Sequence, residues 1–179
     1  MRRVLIGALI LAVLAFVAWR VTHRTRAPRV AAPAPADTAN AGVKAVKLYF
    51  GATDGDGLVS ETREVMDASD VHTRIATLVQ QLDRGPLHGG VAVLPAGTAV
   101  LHAYLDDRGL LTLDLSKAFV QGFHGGSTTE WLAVASLVRT LADNVPEVKR
   151  IQLACGGTSI ATLGGHLALD RPLEVSEWP

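Results

Sequence analysis

The chain is 179 residues long, 49% hydrophobic and formally neutral, with 17 Lys plus Arg against 17 Asp plus Glu, enough for one domain with a core and appendages. Neutrality hides an asymmetry: from Gly42 onward 11 basic residues stand against 16 acidic ones, a net of −5. So acidic a domain lacks the basic footprint that neutralising phosphates requires, and no nucleic acid is expected as a partner.

Residues 4–19 form an unbroken apolar run between Arg2-Arg3 and Arg20, which as a helix would rise about 24 Å. The run is longer than a secretory h-region and leads into Trp19-Arg20-Val21-Thr22-His23-Arg24, not into a small-x-small cleavage site. Residues 1–24 are therefore expected to be an uncleaved signal anchor, a transmembrane helix meeting the membrane through residues 4–21. Trp19 would sit at the interface and Arg20 would snorkel to the headgroups. A cleaved signal peptide cut near residues 39–41 is the competing reading. No Cys stands at the end of the run, so lipoprotein processing is not expected. Four arginines follow the run and two precede it, which by the positive-inside rule alone would keep the rest of the chain cytoplasmic. Residues 25–42, dominated by Ala and Pro, read as an extended spacer.

A globular domain is expected over 43–177. Residues 44–50 alternate, with Val46, Leu48 and Phe50 on one face and Ala45, Lys47 and Tyr49 on the other, the period of a half-buried strand. Residues 63–66 predict a short second strand. Ser69 or Asp70 caps a helix with Val71, Ile75, Leu78, Val79 and Leu82 at helical spacing, ended by Gly85-Pro86. Residues 100–105 and the alternating residues 111–115 flank Asp106-Asp107-Arg108-Gly109 and predict a β-hairpin.

Ser127-Thr128-Thr129-Glu130 has the spacing of a capping box and opens a second helix bearing Trp131, Val134, Ala135, Val138 and Leu141. Residues 148–155 read as a strand, and 167–169 as a last short one. The order β-β-α-β-β-α-β predicts an α+β fold, a single mostly antiparallel sheet with two helices packed on one face.

Candidate sites are sparse. Asp54-Gly55-Asp56-Gly57 has the opening of a calcium loop but lacks the later ligands, and a polar turn explains it better. His88, His102, His124 and His166 are scattered without metal-ligand spacing, so no metal and no cofactor are expected. Gly125, Gly126 and Ser127 at a helix start offer free amides for an anion, with capping by Ser127 as the plainer explanation. Cys155 is the sole cysteine, which forbids an internal disulfide and suits a small buried hydrophobe. No serine elbow or carboxylate pair supports a catalytic assignment.

Three blocks together carry a family likeness. They are Leu48-Tyr49-Phe50 through Thr62-Arg63-Glu64-Val65; then Leu82-Asp83-Arg84-Gly85-Pro86 through Leu94-Pro95-Ala96-Gly97-Thr98 to Leu113-Asp114-Leu115-Ser116; then Thr140-Leu141 through Leu163-Gly164-Gly165-His166 to Arg171-Pro172-Leu173. In order and spacing these resemble the GerMN domain, a sporulation and spore-germination module, across nearly all of residues 44–174. One copy is present, where the founding protein has two.

The resemblance implies an extracytoplasmic, envelope-associated module that binds proteins and is not a catalyst. The expected molecule is thus a single-pass protein of the inner membrane. Its envelope partner is not named by the sequence, and self-association is left open. The alternative is a binding domain for a small anion or glycan, using residues 122–127.

Overall fold

The structure, a computed structural model, describes residues 42–179. The expected anchor and nearly all of the spacer lie outside the described residues. Among the described residues, no helix is long and apolar enough to cross a membrane.

Two nine-residue strands, β1 (Val43–Gly51) and β2 (Leu58–Met66), pair antiparallel as a ribbon. Helix α1 (Val71–Asp83) follows, its N-terminus capped by the Asp70 carboxylate, which accepts from Thr73 N–H at 2.8 Å. Strands β3 (Val100–Leu105) and β4 (Leu110–Leu115) form the expected hairpin. Gly109 holds φ 80° at its turn, where an added Cβ would fall 2.7 Å from the Glu147 carbonyl oxygen.

A four-residue helix α2 (Ala118–Gln121) precedes the long helix α3 (Ser127–Asn144). Strand β5 (Arg150–Cys155) and two-residue strands β6 (Thr158–Ser159) and β7 (Leu173–Glu174) complete the sheet, before a 3-10 turn at Val175–Glu177.

The fold is α+β, but the sheet is not single. β1 and β2 form their own two-stranded sheet, and a separate five-stranded sheet runs β3-β4-β5-β6 with β7 also on β5. All pairings are antiparallel except β4 with β5. The parallel pair arises because α2 and α3 carry the chain back across the sheet between those strands, which is how parallel neighbours are joined. The strand expected at 167–169 is irregular chain, and residues 58–62 extend β2 beyond its expected start.

The separation of the sheets has a specific cause. Helix α3 presents Ser136, Thr140 and Asn144 at four-residue spacing, on one face, against the edge of β1. Ser136 Oγ donates to the Tyr49 carbonyl and Thr140 Oγ1 accepts Tyr49 N–H at 3.1 Å. Asn144 accepts Lys47 N–H at 3.0 Å and donates to the Lys47 carbonyl at 2.7 Å. Two residues further along β1, Gly51 exchanges both of its backbone bonds with Val91. Side chains and a loop therefore occupy an edge that another strand would otherwise take.

Helix α3 is buried around nearly its whole circumference, with residues 132–138 all buried, as expected of a helix enclosed on several sides. Its apolar positions join Val46, Leu48 and Phe50 of β1, Leu111, Leu113 and Leu115 of β4, and Ile151 and Leu153 of β5 in one hydrophobic cluster.

Candidate functional site

Three segments singled out by sequence converge on a cleft of about 510 Å³. The β1–β2 turn supplies Gly55, Asp56 and Gly57, the first turns of α3 supply Ser127, Thr128, Trp131 and Leu132, and a later loop supplies His166 and Leu167. The β1–β2 segment is a polar turn: Asp54 Oδ1 accepts Asp56 N–H at 3.1 Å, and Gly55 and Gly57 take the positive φ values of 78° and 113°. Trp131 is half-buried, and its ring stacks on Trp178 with centroids 6.1 Å apart.

Of Gly125, Gly126 and Ser127, the candidate anion-binding residues, only Ser127 lines the cleft. Gly126 is the N-cap of α3 with no side-chain capping bond. Gly125 is packed so closely that an added Cβ would lie 2.6 Å from Thr129 Cβ. The expected capping box does not form, because Glu130 is committed elsewhere.

Its fully buried carboxylate accepts from Thr162 Oγ1 at 2.7 Å and from the backbone N–H of Leu163, Gly164 and His166 at 2.8–2.9 Å. The His166 ring Nδ1 lies 3.1 Å from the same group, and an ionised carboxylate can only accept, so that nitrogen carries the proton. Burial pushes the Glu130 carboxyl up, but the Gly164 amide, the Thr162 hydroxyl and the His166 and Leu163 amides outweigh it and hold the pKa at about 2.

The same device recurs at further acidic residues, a role that the sequence did not reveal. Glu61 Oε2 accepts Leu87 and His88 N–H at 2.8 and 3.0 Å. Asp83 accepts Gly97 and Thr98 N–H, Asp106 accepts Arg108 and Leu110 N–H, and Asp114 accepts Gly157 N–H with both oxygens. Arg63, 7% exposed along its side chain, donates from Nε to Glu61 Oε1 at 2.6 Å and from Nη2 to the Gly85 carbonyl at 2.6 Å.

Asp83, Asp114 and Arg63 all belong to the blocks that carry the family likeness, so these signature residues act as loop fasteners. One signal was available in the sequence: an Asp between Leu113 and Leu115 in a strand is disfavoured unless it has a partner.

The four sequence-noted histidines do not come together, and among the described residues no group of three or more His, Cys, Asp or Glu side chains could hold a metal ion. Cys155 is half-buried, with its thiol donating to the Ser116 carbonyl at 3.3 Å.

Among solved structures, the chain resembles the tandem GerMN domains of the sporulation protein GerM from Bacillus subtilis, with TM-score 0.62 and 21% identity. That match covers 76% of this chain and 48% of the other, so this chain spans about half of the tandem structure. The first GerMN domain of the same protein matches with TM-score 0.56 and 21% identity, over 71% of this chain and 95% of that domain. A Clostridium perfringens protein described as a lipoprotein matches with TM-score 0.53 and 23% identity, over 76% of this chain and 90% of that one. No curated protein matches. At such identities the structural likeness establishes the fold, and the family model supplies the membership: matched over residues 47–161, the chain belongs to the Germane family, described as sporulation and spore germination.

Proposed function

We propose that this chain is a membrane-anchored, extracytoplasmic module of the cell envelope that binds protein and does not catalyse a reaction. The observation that carries the reading is the asymmetry of the β1–β2 ribbon. The β1 edge is closed from Lys47 to Gly51 by α3 and Val91, whereas among the described residues nothing hydrogen-bonds to the outer edge of β2. Nine residues of open strand edge are a template for an added strand. The acidic groups support the non-catalytic part, since Glu61, Asp83, Asp114 and Glu130 spend their oxygens on backbone amides. The apolar run at residues 4–19, the sporulation and germination description of the family, and the lipoprotein description of the Clostridium perfringens relative favour the envelope.

A photocrosslinking residue at Ser60 of the full chain in native membranes tests this. A discrete envelope protein captured at Ser60, and not from the same probe at exposed Gln121, is the expected result. Capture of cytoplasmic proteins alone would overturn the sidedness, and no product at Ser60 would overturn the interaction surface.

The cleft favours one second reading, a glycan site. Trp131 offers an aromatic face, Ser127 and Thr128 offer hydroxyls, and Asp56 and His166 offer further hydrogen-bonding groups. Asp56 makes a neutral polyol a better fit than an anion. Soluble peptidoglycan fragments would then raise the melting temperature of the parent chain and leave a Trp131→Ala variant unmoved; absence of any shift in the parent removes the reading.

A further inference from the structure

We infer that the open edge of β2 pairs with β2 of a second copy of this chain, antiparallel and centred on Thr62. The inference rests on the protein-binding reading above and names the partner.

The direction of the free groups follows from the closed edge. Lys47, Tyr49 and Gly51 turn their N–H and C=O toward α3 and Val91. In a strand these groups alternate sides, so Val46, Leu48 and Phe50 bond to Arg63, Glu61 and Val59 across the ribbon. Leu58, Ser60, Thr62, Glu64 and Met66 therefore point their backbone groups outward. The strand contains no proline, and its pairing with β1 runs without a bulge, so two common devices that blunt an exposed edge are missing. Its inward charges are also neutralised, because Glu61 and Arg63 pair with each other.

The sequence Leu58-Val59-Ser60-Glu61-Thr62-Arg63-Glu64-Val65-Met66 is self-complementary about its centre. With Thr62 opposite Thr62 of the second copy, Ser60 faces Glu64 and Leu58 faces Met66. Every outward N–H and C=O then meets a partner, and shifting the register leaves some of them unpaired. Between those pairs Val59 faces Val65, so apolar meets apolar, and the facing Glu61 and Arg63 bring no net charge because each chain pairs its own.

Met66 and Val59 are 61% and 39% exposed, and this arrangement places both against apolar side chains. A two-fold axis through Thr62 closes the assembly as a dimer, and the two ribbons become one four-stranded sheet.

The test uses the full chain in detergent and in membranes, with Cys155→Ser removing the native thiol. Val59→Cys and Val65→Cys variants, coexpressed with different tags, are expected to form an interchain disulfide on mild oxidation, since such opposed positions lie within disulfide reach. Either variant alone is expected to give little, because its own copies lie six positions apart along the strand, roughly 20 Å. Thr62→Pro removes an outward N–H that β1 does not use, a change an edge strand tolerates. It is expected to weaken dimerisation at least about tenfold in sedimentation equilibrium, with an unchanged circular dichroism spectrum.

A monomeric parent chain, or disulfides that form equally in the single variants, would sink the proposal. A monomer whose Ser60 crosslinks to another envelope protein would overturn the self-pairing while keeping the protein-binding reading. Crosslinks from Ser60 to residues 25–41 of the same chain would overturn both.

Discussion

Glu130→Gln is expected to cost the fold at least about 3 kcal/mol, read as a loss of unfolding free energy in urea. The amide keeps the shape but turns an NH2 toward donors that now have nothing to accept them, in a site with no solvent access. Protonation makes the same change in the parent chain. Glu130 has its pKa lowered from 4.5 to about 2 in the folded state. Its contribution is therefore fully present above about pH 4.5 and lost as pH falls through about 2, amounting to about 3 kcal/mol over that window. The variant is expected to lose correspondingly less stability than the parent between pH 5 and pH 2. Equal slopes for the two proteins would show that Glu130 does not carry the acid sensitivity.

Arg63→Met is expected to be as damaging, by about 3–5 kcal/mol. Methionine fills much of the same space against the Phe50 ring, over which the guanidinium sits at 5.4 Å. It leaves the Glu61 carboxylate buried without its cation, and the carbonyls of Gln81 and Gly85 without their donor. Those carbonyls end α1, so the defect is expected to loosen the junction between β2 and the Gly85-Pro86 turn. Hydrogen exchange resolved by residue is the check: protection is expected to fall first at Leu87 and His88, whose amides Glu61 binds. Uniform loss of protection throughout the domain would instead place Arg63 in the global core.

The elements were legible where periodicity and turn chemistry agree. The alternation of residues 44–50, the helical spacing from Val71 to Leu82 and the Asp106–Gly109 turn each have one local solution, and the structure takes it. Partnership between elements was less legible. Alternation says which face of β1 is buried and is silent about its edge, so the role of Ser136, Thr140 and Asn144 in closing that edge could not be read from β1. These three polar residues recur at four-residue spacing along α3 and are buried there, and that spacing was the available clue.

The capping box failed for a related reason. Ser127 and Glu130 have the right separation, but a local motif competes with long-range donors, and the 162–166 loop supplies more of them. The cleft brings together the 54–57 turn, Ser127 and His166 from distant parts of the chain, and its existence depends on how α3 docks.

The seam between α3 and β1 also sets a limit of length. Four residues of helix advance about 6 Å, whereas two residues of strand advance about 6.8 Å. Rungs at Tyr49 and Lys47 can be served in turn by Thr140 and Asn144, but the mismatch grows by about 0.8 Å with each further rung and soon exceeds the narrow range of hydrogen-bond lengths. Helix and strand thus behave as a vernier whose marks coincide over a short interval. Beyond it Leu132 offers no polar group, and Gly51 turns to Val91 instead. The seam is therefore confined to a short interval of helix and strand, and within it α3 and β1 can dock in one position only.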